Sequence, residues 1–400
     1  MLKILGVVIV FWSFAVQAFA DLKTLQQEIV TIDPACAVAL NDESGKRIIA
    51  YNPDKLMIPA SIVKIVIAQA AYDLLGKDFR FKTEFYTDRN YRLAIKGWGD
   101  PFLVSEEINL VSEQPQIKRL PVISEILLDS SAFSSDVQIP GTSNSLNPYD
   151  ALNGALVVNF NTIFVGRTHA GVVYSAEEPT PLTSLAIEKA NSIPPGKKER
   201  INLTENPAES LAYVGQLFSK FFVAADIPVT SKKLTRTIVK EKDWQLIYRH
   251  HSSRSLKFIF EGLMKYSNNF IANQIFLVIG AEKMGYPASL SKSRKVLQTY
   301  LKNKWGFANA DMVLDEASGI SRKNRMTAGQ MMTILETFRE NSGLLSGKNN
   351  LKIKSGTLTG VYNYAGYIQT ESGIRPFVII TENAVNQRDK LLKLLTQFSS

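Results

Sequence analysis

Residues 59–76, Pro-Ala-Ser-Ile-Val-Lys-Ile-Val-Ile-Ala-Gln-Ala-Ala-Tyr-Asp-Leu-Leu-Gly, contain only two charged side chains, Lys64 and Asp73. The other positions are nearly all apolar or small, and Gly76 ends the run, so the pattern predicts a buried helix over Ser61–Leu75. A buried ammonium group is costly unless it has a partner. The position of Lys64 therefore points to a specific role for its amine.

Ser61 and Lys64 are three residues apart, which places their side chains on one face of a helix. Ser61 falls in the predicted first turn, where unpaired backbone N–H groups and the helix dipole stabilise a developing anion. Partial burial lowers the pKa of a lysine, so its neutral amine becomes more accessible as a base. The pair therefore predicts a serine nucleophile activated by lysine. The alternative is an N-cap serine beside a lysine whose ammonium reaches the surface.

The same Pro-Ala-Ser-x-x-Lys pattern occurs a second time, at 287–292. Ser289 there opens a segment rich in Lys and Arg, in which Lys292 can be solvated. We predict that Ser289 is an N-cap rather than a nucleophile. The spacing alone is therefore a weak signal, and the apolar surroundings distinguish Ser61.

A polar break separates two apolar helical segments, Leu256–Lys265 and Phe270–Gly280. It contains Ser267 and Asn269, and polar groups at such a break indicate a candidate site. The alternative is an ordinary helix–helix connection.

The segment Leu351–Leu358, Leu-Lys-Ile-Lys-Ser-Gly-Thr-Leu, alternates like a β-strand. Gly356 would let another backbone or a ligand approach closely. The cation of Lys354 and the hydroxyl of Ser355 suit a carboxylate. The alternative is a solvated edge strand.

Taken in order, the motifs Ser61-Ile-Val-Lys64, Ser267-Asn-Asn269 and Lys354-Ser-Gly356 resemble those of serine penicillin-binding proteins and serine β-lactamases. The first two motifs are too far apart for a β-lactamase core. The spacing resembles that of D-alanyl-D-alanine carboxypeptidase/endopeptidases of the low-molecular-mass class C group, which carry a domain inserted after the nucleophile helix. The resemblance extends over most of the chain and includes 97–101, 128–133, 315–322 and 354–366. It departs from the family pattern at Ser355, where threonine is common, and at Glu316-Ala317, where small residues are usual.

The resemblance implies roles for the residues of acyl transfer. Ser61 would be the acylated nucleophile and Lys64 its proton acceptor. Ser267 would relay a proton between Lys64 and the leaving amine. The backbone N–H groups of Ser61 and Thr357 would form the oxyanion hole.

The resemblance also implies a substrate-binding set. Asn269 would hydrogen-bond the substrate amide and hold Lys64 in place. Lys354 and Ser355, in the triplet that ends at Gly356, would bind the terminal carboxylate of the peptide.

Pattern and resemblance together predict an α+β fold, with a β-lactamase/transpeptidase-like antiparallel sheet of about five strands flanked by helices. Residues 21–80 and 205–400 would form a discontinuous catalytic domain. Residues 81–204, which include β-type runs such as Leu156–Val165, would form a mostly β inserted domain. The pair Asn206-Pro207 predicts the start of a helix near the return to the catalytic domain.

The first twenty residues predict a signal peptide. Lys3 precedes an apolar run from Ile4 to Val16, and Ala18-Phe19-Ala20 supplies a cleavage site. The alternative is an uncleaved membrane anchor, for which the run is short. We expect cleavage after Ala20, a periplasmic mature protein, and no later membrane span.

The composition narrows the remaining choices. The chain has 400 residues, of which 45% are hydrophobic and 21% charged, which excludes a disordered or fibrous protein. Its net charge of +9 is spread along the chain, so we expect no nucleic-acid partner. Three histidines and one cysteine offer few metal ligands or triad bases, so we predict no metal and no cofactor.

The resemblance implies a serine DD-peptidase that cleaves D-Ala-D-Ala termini or D-Ala cross-links of peptidoglycan peptides through an acyl-serine. Its partners would be peptidoglycan stem peptides, with β-lactams as covalent inhibitors. Two alternatives remain open: a catalytically silent protein of the same fold that binds wall peptides, and a β-lactamase.

Overall fold

The structure is a computed structural model that describes residues 22–143, 145–308 and 311–398. The predicted signal peptide lies outside the described residues. The described chain forms two compact units. The first unit contains the residues up to Val66, Leu301–Leu314, and the residues from Arg322 onward, and the second contains Ile67–Tyr300 and Asp315–Ser321.

The strands are, in chain order, β1 (Ala37–Asn41), β2 (Arg47–Tyr51), β3 (Lys82–Thr87), β4 (Arg92–Gly97), β5 (Glu125–Asp129), β6 (Thr162–Arg167), β7 (Val173–Ser175), β8 (Lys198–Asn202), β9 (Leu234–Arg236), β10 (Gln245–His251), β11 (Ser346–Lys348), β12 (Leu351–Leu358), β13 (Val361–Thr370) and β14 (Gly373–Ile380). The helices are α1 (22–32), α2 (Lys64–Leu75), α3 (Ser105–Ser112), α4 (Pro115–Lys118), α5 (Ser184–Ala190), α6 (Pro207–Ala224), α7 (Leu256–Tyr266), α8 (Asn269–Met284), α9 (Leu290–Trp305), α10 (Ala328–Phe338) and α11 (Arg388–Phe398). Short 3₁₀ helices occupy Ala60–Val63, Pro148–Asp150, Asn159–Asn161 and Arg339–Leu344.

The first unit is built on an antiparallel sheet in the order β11-β12-β13-β14-β1-β2. Tight turns join β12 to β13 and β13 to β14, and the N-terminal hairpin β1-β2 pairs with β14 through β1. The sheet therefore has one more strand than the five predicted, because the short strand β11 extends its edge.

Helices cover both faces of this sheet. Leu25 and Ile29 of α1, with Leu391 and Leu395 of α11, are buried in one cluster with side chains of β1 and β14. On the other face the Tyr367 hydroxyl donates a hydrogen bond to the Leu335 carbonyl of α10 at 2.7 Å. Alternation along each strand thus supplies apolar side chains to two helical layers.

The second unit contains two sheets. One is a mixed sheet in the order β10-β3-β4-β5-β9, in which β4, β5 and β9 run parallel to one another and β3 is antiparallel to both β10 and β4. The helices α3 and α4 lie between β4 and β5 in sequence, as a parallel crossover requires. The other sheet is antiparallel, in the order β7-β6-β8.

The core of the second unit is formed by α6 and the mixed sheet. Phe218 of α6 packs edge to face on Phe85 of β3, with ring centroids 5.7 Å apart. Asn206 caps this helix, since its side chain accepts a hydrogen bond from the Ala208 N–H at 2.9 Å. The helix start predicted at Asn206-Pro207 is confirmed.

The β-type run predicted at Leu156–Val165 is wrong in its first half. Residues Asn159, Phe160 and Asn161 have φ values of 49°, 60° and 53° and form a 3₁₀ turn, so only β6 is a strand. The predicted domain boundaries stay a prediction. The mixed sheet also uses β9 and β10, which lie after residue 205.

Asp100 is almost completely buried in the second unit. Its Oδ1 accepts a hydrogen bond from the Phe102 N–H at 2.8 Å, while its Oδ2 has no hydrogen-bond partner among the described residues. Burial, together with the nearby Glu107 carboxylate, raises the pKa of Asp100 to about 7, although the hydrogen bond from the Phe102 N–H opposes this shift. The buried carboxyl therefore keeps a proton that the unfolded chain releases near pH 4.

We expect Asp100→Asn to stabilise the chain, and the gain to grow with pH. Because the pKa of Asp100 is higher in the folded than in the unfolded state, the free energy of unfolding of the native protein falls as the pH rises from about 4 to about 7. An asparagine at this position does not titrate, so the variant is spared this loss. The difference in unfolding free energy between variant and native protein should grow by about 2 kcal/mol from pH 5 to pH 8. Denaturation at both pH values measures it, with the exposed Asp226→Asn as control. An unchanged difference would contradict the assignment.

In the described part of the chain, we find no helix with both the length and the apolar character that crossing a membrane requires.

Candidate active site

The predicted nucleophile lies in the 3₁₀ turn Ala60–Val63, directly before α2. In a 3₁₀ helix, side chains three residues apart lie one above the other. Lys64 Nζ donates a hydrogen bond to Ser61 Oγ at 2.7 Å, and the Lys64 side chain is completely buried. The sequence predicted a helix from Ser61, and the observed first turn is tighter than an α-helix.

Hydrogen bonds from the sheet hold the chain that leads into this turn. Asn363 Nδ2 donates to the carbonyl oxygens of Ile58 and Pro59, at 2.9 and 2.8 Å. The Ile58 N–H in turn donates to Glu382 Oε1 at 2.6 Å. These bonds fix the next residue, Ala60, at a φ of 46°, a left-handed conformation that costs about 1 kcal/mol for a residue with a Cβ. Neither Asn363 nor Glu382 was predicted from the sequence.

Gly356 of β12 packs directly against the nucleophile turn. A Cβ at this position would lie 2.8 Å from the Pro59 carbonyl oxygen and 3.1 Å from the Ser61 nitrogen. Only glycine fits without displacing the backbone. The missing side chain therefore allows β12 and the Ser61 turn to approach closely.

Lys354 is a buried cation rather than a solvated strand residue. Its side chain is buried, and its Nζ donates a hydrogen bond to the Ser355 carbonyl oxygen at 2.8 Å. Burial, with a smaller effect from the positive charge of Arg388, lowers the pKa of Lys354 to about 8. Ser355 and Thr357 point to the opposite face of β12 and are exposed.

Arg388, the first residue of α11, also contacts the third motif. Its Nη1 donates a hydrogen bond to Thr357 Oγ1 at 2.7 Å. Arg388 was not predicted from the sequence, because an arginine at the start of a terminal amphipathic helix carries no signal of its own.

Ser267 and Asn269 belong to the second unit, and the predicted break between two helices is present there. Ser267 ends α7 in the left-handed conformation, with φ 52° and ψ 36°. Asn268 caps α8 by accepting a hydrogen bond from the Ile271 N–H at 3.0 Å, and Asn269 is the first residue of that helix. All three polar residues are half-buried.

Glu316, which departs from the family pattern, is completely buried in the second unit. Its carboxylate accepts hydrogen bonds from Asn273 Nδ2 at 3.0 Å and from the backbone N–H groups of Ser318 and Gly319 at 2.6 and 2.7 Å. The side chain therefore ties the 315–321 loop to α8, a structural role that small residues could not fill.

The second Ser-x-x-Lys sequence has a different geometry. Ser289 Oγ accepts a hydrogen bond from the Lys292 N–H at 3.3 Å, which confirms the predicted N-cap of α9. Lys292 Nζ donates instead to the carbonyl oxygens of Gly285 and Pro287. This lysine is thus held by backbone carbonyls.

Other chemistries find little support in the described residues. Across residues 22–143, 145–308 and 311–398 there is no group of three or more His, Cys, Asp or Glu residues that could hold a metal ion. Cys36 is buried, and burial raises the pKa of its thiol to about 12, so it is not a thiolate at neutral pH.

Comparison with known proteins identifies a family. The family described as D-Ala-D-Ala carboxypeptidase 3 (S13) matches residues 20–346, more than half of the chain. The D-alanyl-D-alanine carboxypeptidase DacB of Haemophilus influenzae is 22% identical, covering 92% of this chain and 90% of its own length. A D-alanyl-D-alanine carboxypeptidase of an Actinomadura strain is 23% identical, covering 90% and 81%. The family predicted from the three motifs is confirmed.

Solved structures show the same fold. Penicillin binding protein 4 from Haemophilus influenzae matches with a TM-score of 0.72 at 20% identity, covering 91% of this chain and 95% of that chain. The same protein complexed with a β-lactam matches with a TM-score of 0.69 at 19% identity, covering 94% and 98%. A predatory endopeptidase from Bdellovibrio bacteriovorus matches at 0.53 and 17%, covering 92% of each chain. The predicted α+β fold class is confirmed.

Proposed function

The chain belongs to the D-Ala-D-Ala carboxypeptidase 3 (S13) family, and on that premise we propose that it is a serine DD-peptidase. It would cleave D-Ala-D-Ala termini or D-Ala cross-links of peptidoglycan stem peptides through an acyl-serine. The observation that supports this best is the 2.7 Å hydrogen bond between buried Lys64 and Ser61, in a turn packed against the Lys354-Ser-Gly356 strand.

In the proposed acylation, Lys64 acts as a neutral amine and accepts the proton of Ser61 Oγ as this oxygen attacks the substrate carbonyl carbon. The carbonyl oxygen becomes an oxyanion and accepts hydrogen bonds from the backbone N–H groups of Ser61 and Thr357. The serine ester forms as the C–N bond breaks, and the proton passes to the leaving amine. Water then hydrolyses the ester by the same route.

We propose that Ser267 relays the proton to the leaving amine and that Asn269 hydrogen-bonds the substrate amide and Lys64. The support for these two roles is the resemblance of the Ser-Asn-Asn motif to that of the family. A hydroxyl suits the relay because it donates one proton while it accepts another.

We propose that Lys354 and Ser355 bind the carboxylate at the end of the substrate. An ammonium and a hydroxyl are both donors, and a carboxylate accepts from both. The proposal is supported by the burial of Lys354, because a buried cation interacts more strongly with an anion than a solvated cation does.

We further propose that residues 1–20 are a signal peptide and that the mature protein acts in the periplasm, where peptidoglycan is found. The same export would bring the protein into contact with β-lactams. The residue pattern from Lys3 to Ala20 supports this proposal.

Penicillin should form one covalent adduct on the folded protein, at Ser61. The Ser61 hydroxyl lies 2.7 Å from the amine of Lys64, a lysine whose side chain is completely buried. Intact-mass measurement followed by peptide mapping locates the adduct. Ser61→Ala should abolish it, and the matched control Ser289→Ala should leave it unchanged.

The outcome also separates the alternatives. A long-lived adduct together with hydrolysis of a D-Ala-D-Ala peptide supports the peptidase. An adduct that hydrolyses within seconds would identify a β-lactamase, and an adduct without peptide turnover would identify a silent binding protein. An adduct on Ser289 would overturn the assignment of the nucleophile.

A further inference from the structure

Arg388 lies at the exposed end of the Lys354-Ser-Gly356 strand. Its Nη1 donates hydrogen bonds to Thr357 Oγ1 at 2.7 Å and to the Gly356 carbonyl oxygen at 3.2 Å. Its guanidinium stacks on Tyr364 of β13, 4.5 Å from the ring centroid. Three neighbouring groups therefore fix a long, flexible side chain in one position.

The placement of this cation is unfavourable for the helix. Arg388 is the first residue of α11, and the N-terminus of a helix carries the positive end of its dipole. Acidic residues are favoured there, and an arginine is opposed by the dipole. An interaction outside the helix must therefore offset the unfavourable effect of the dipole on this cation.

The charge of Arg388 is not neutralised by an ion pair. Within residues 22–143, 145–308 and 311–398, no carboxylate lies within salt-bridge distance of its guanidinium, and its buried Nε has no hydrogen-bond partner. The neighbouring Asp389 instead accepts a hydrogen bond from the Tyr364 hydroxyl at 2.9 Å. The guanidinium therefore leaves a net positive field beside β12.

The contact with Thr357 also orients a hydroxyl. Because Thr357 Oγ1 accepts a hydrogen bond from Arg388, its own proton must point elsewhere. Ser355 and Thr357 lie on the same exposed face of β12, two residues apart. Two hydroxyl donors and two cations thus border one stretch of the strand.

We propose that Arg388 is a specificity-determining residue, which selects substrates with a free terminal carboxylate by adding a second positive charge beside Lys354 and by orienting the Thr357 hydroxyl. This inference rests on the proposed DD-peptidase function and deepens it. The ligand it concerns is the carboxylate of the departing D-amino acid. A bound carboxylate would also relieve the repulsion between the two cations.

Arg388→Gln should lower kcat/KM for a D-Ala-D-Ala peptide with a free carboxylate by about tenfold, the value of one hydrogen bond to a charged group. The change should be less than about twofold for the C-terminally amidated analogue. Arg388→Lys should recover part of the loss, because it restores the charge but not the planar fork. The matched control is Lys390→Gln, which removes an exposed cation from the same helix and should change neither substrate.

A pH profile distinguishes recognition from a structural role. The ratio of kcat/KM for the free-carboxylate peptide to kcat/KM for the amidated peptide should decline at alkaline pH, as Lys354 loses its proton. Because the charge of Arg388 lowers the pKa of Lys354, Arg388→Gln should move this decline to higher pH. If Arg388 only anchored α11, its replacement would shift the melting temperature and lower kcat/KM equally for both peptides, and the pH of this decline would not change.

The outcomes separate this inference from the proposed function. If the native protein forms no penicillin adduct and cleaves no peptide, the DD-peptidase proposal fails, and this inference fails with it. If the native protein is active but Arg388→Gln lowers kcat/KM equally for both peptides, or for neither, only the role of Arg388 is overturned. Should Arg388→Gln fold poorly, Arg388→Met, which also removes the charge, decides, and an unchanged ratio together with an unmoved pH decline in that variant would overturn the proposal.

Discussion

Replacing Lys64 with methionine should slow the acylation of Ser61 by about a thousandfold, because a general base typically contributes between a hundredfold and ten-thousandfold. The helix should stay folded. Methionine is unbranched, favours helices and suits the completely buried, apolar surroundings of this side chain. Stopped-flow measurement of the reaction with a chromogenic β-lactam gives the rate, and circular dichroism checks the fold.

Lys292→Met is the matched control, since it removes the lysine of the second Ser-x-x-Lys sequence. It should leave acylation at the native rate, because Lys292 Nζ bonds backbone carbonyls instead of its serine. Acylation within tenfold of the native rate by a folded Lys64→Met protein would show that another group takes the proton of Ser61.

Local patterns predicted much of the fold. The break between α7 and α8 and the strand β12 both lie where the sequence placed them. Each of these elements has a signal within its own residues: alternation, an apolar helical face or a turn cluster. The pair Ser61 and Lys64 was predictable for the same reason, since both residues lie within one turn.

The groups that position the nucleophile have no such signal. Asn363 and Glu382 bind the segment before Ser61 from distant strands or loops, and a polar residue in a strand does not reveal its partner. The first turn of the nucleophile helix was predicted as α-helical because 3₁₀ and α-helices share the three-residue spacing. Only tertiary contacts show that Ala60 is held in a left-handed conformation.

Burial also explains a difference that the sequence could not decide. Lys352 and Lys354 are two residues apart on one strand, yet Lys354 is buried and Lys352 is half-buried. The buried ammonium loses hydration, and its pKa falls to about 8. A poorly hydrated ammonium interacts more strongly with a carboxylate than a solvated ammonium does. Substitution of Lys354 should therefore weaken carboxylate binding more than substitution of Lys352.

Lys354→Gln should lower kcat/KM for a D-Ala-D-Ala peptide with a free carboxylate by about ten- to a hundredfold. The lost interaction is a hydrogen bond between an ammonium and a carboxylate, worth roughly 1.5 to 3 kcal/mol. The amidated peptide should lose less than about threefold, because it presents no negative charge. Parallel assays of both peptides give the ratio, and Lys352→Gln, the control on the same strand, should leave that ratio unchanged.

The role of Lys354 can also be tested in the native protein, by removing its charge with pH instead of by substitution. Since the pKa of Lys354 is lowered to about 8, its ammonium is present below pH 8 and is lost as the pH rises through that value. The native preference for the free carboxylate should therefore decline above pH 8, and kcat/KM reports this pKa in the free enzyme. In Lys354→Gln the preference should be small and independent of pH. The amidated peptide corrects for titration of the acyl-transfer groups, because both substrates use them equally. A decline that persists in Lys354→Gln would assign the carboxylate to a different cation.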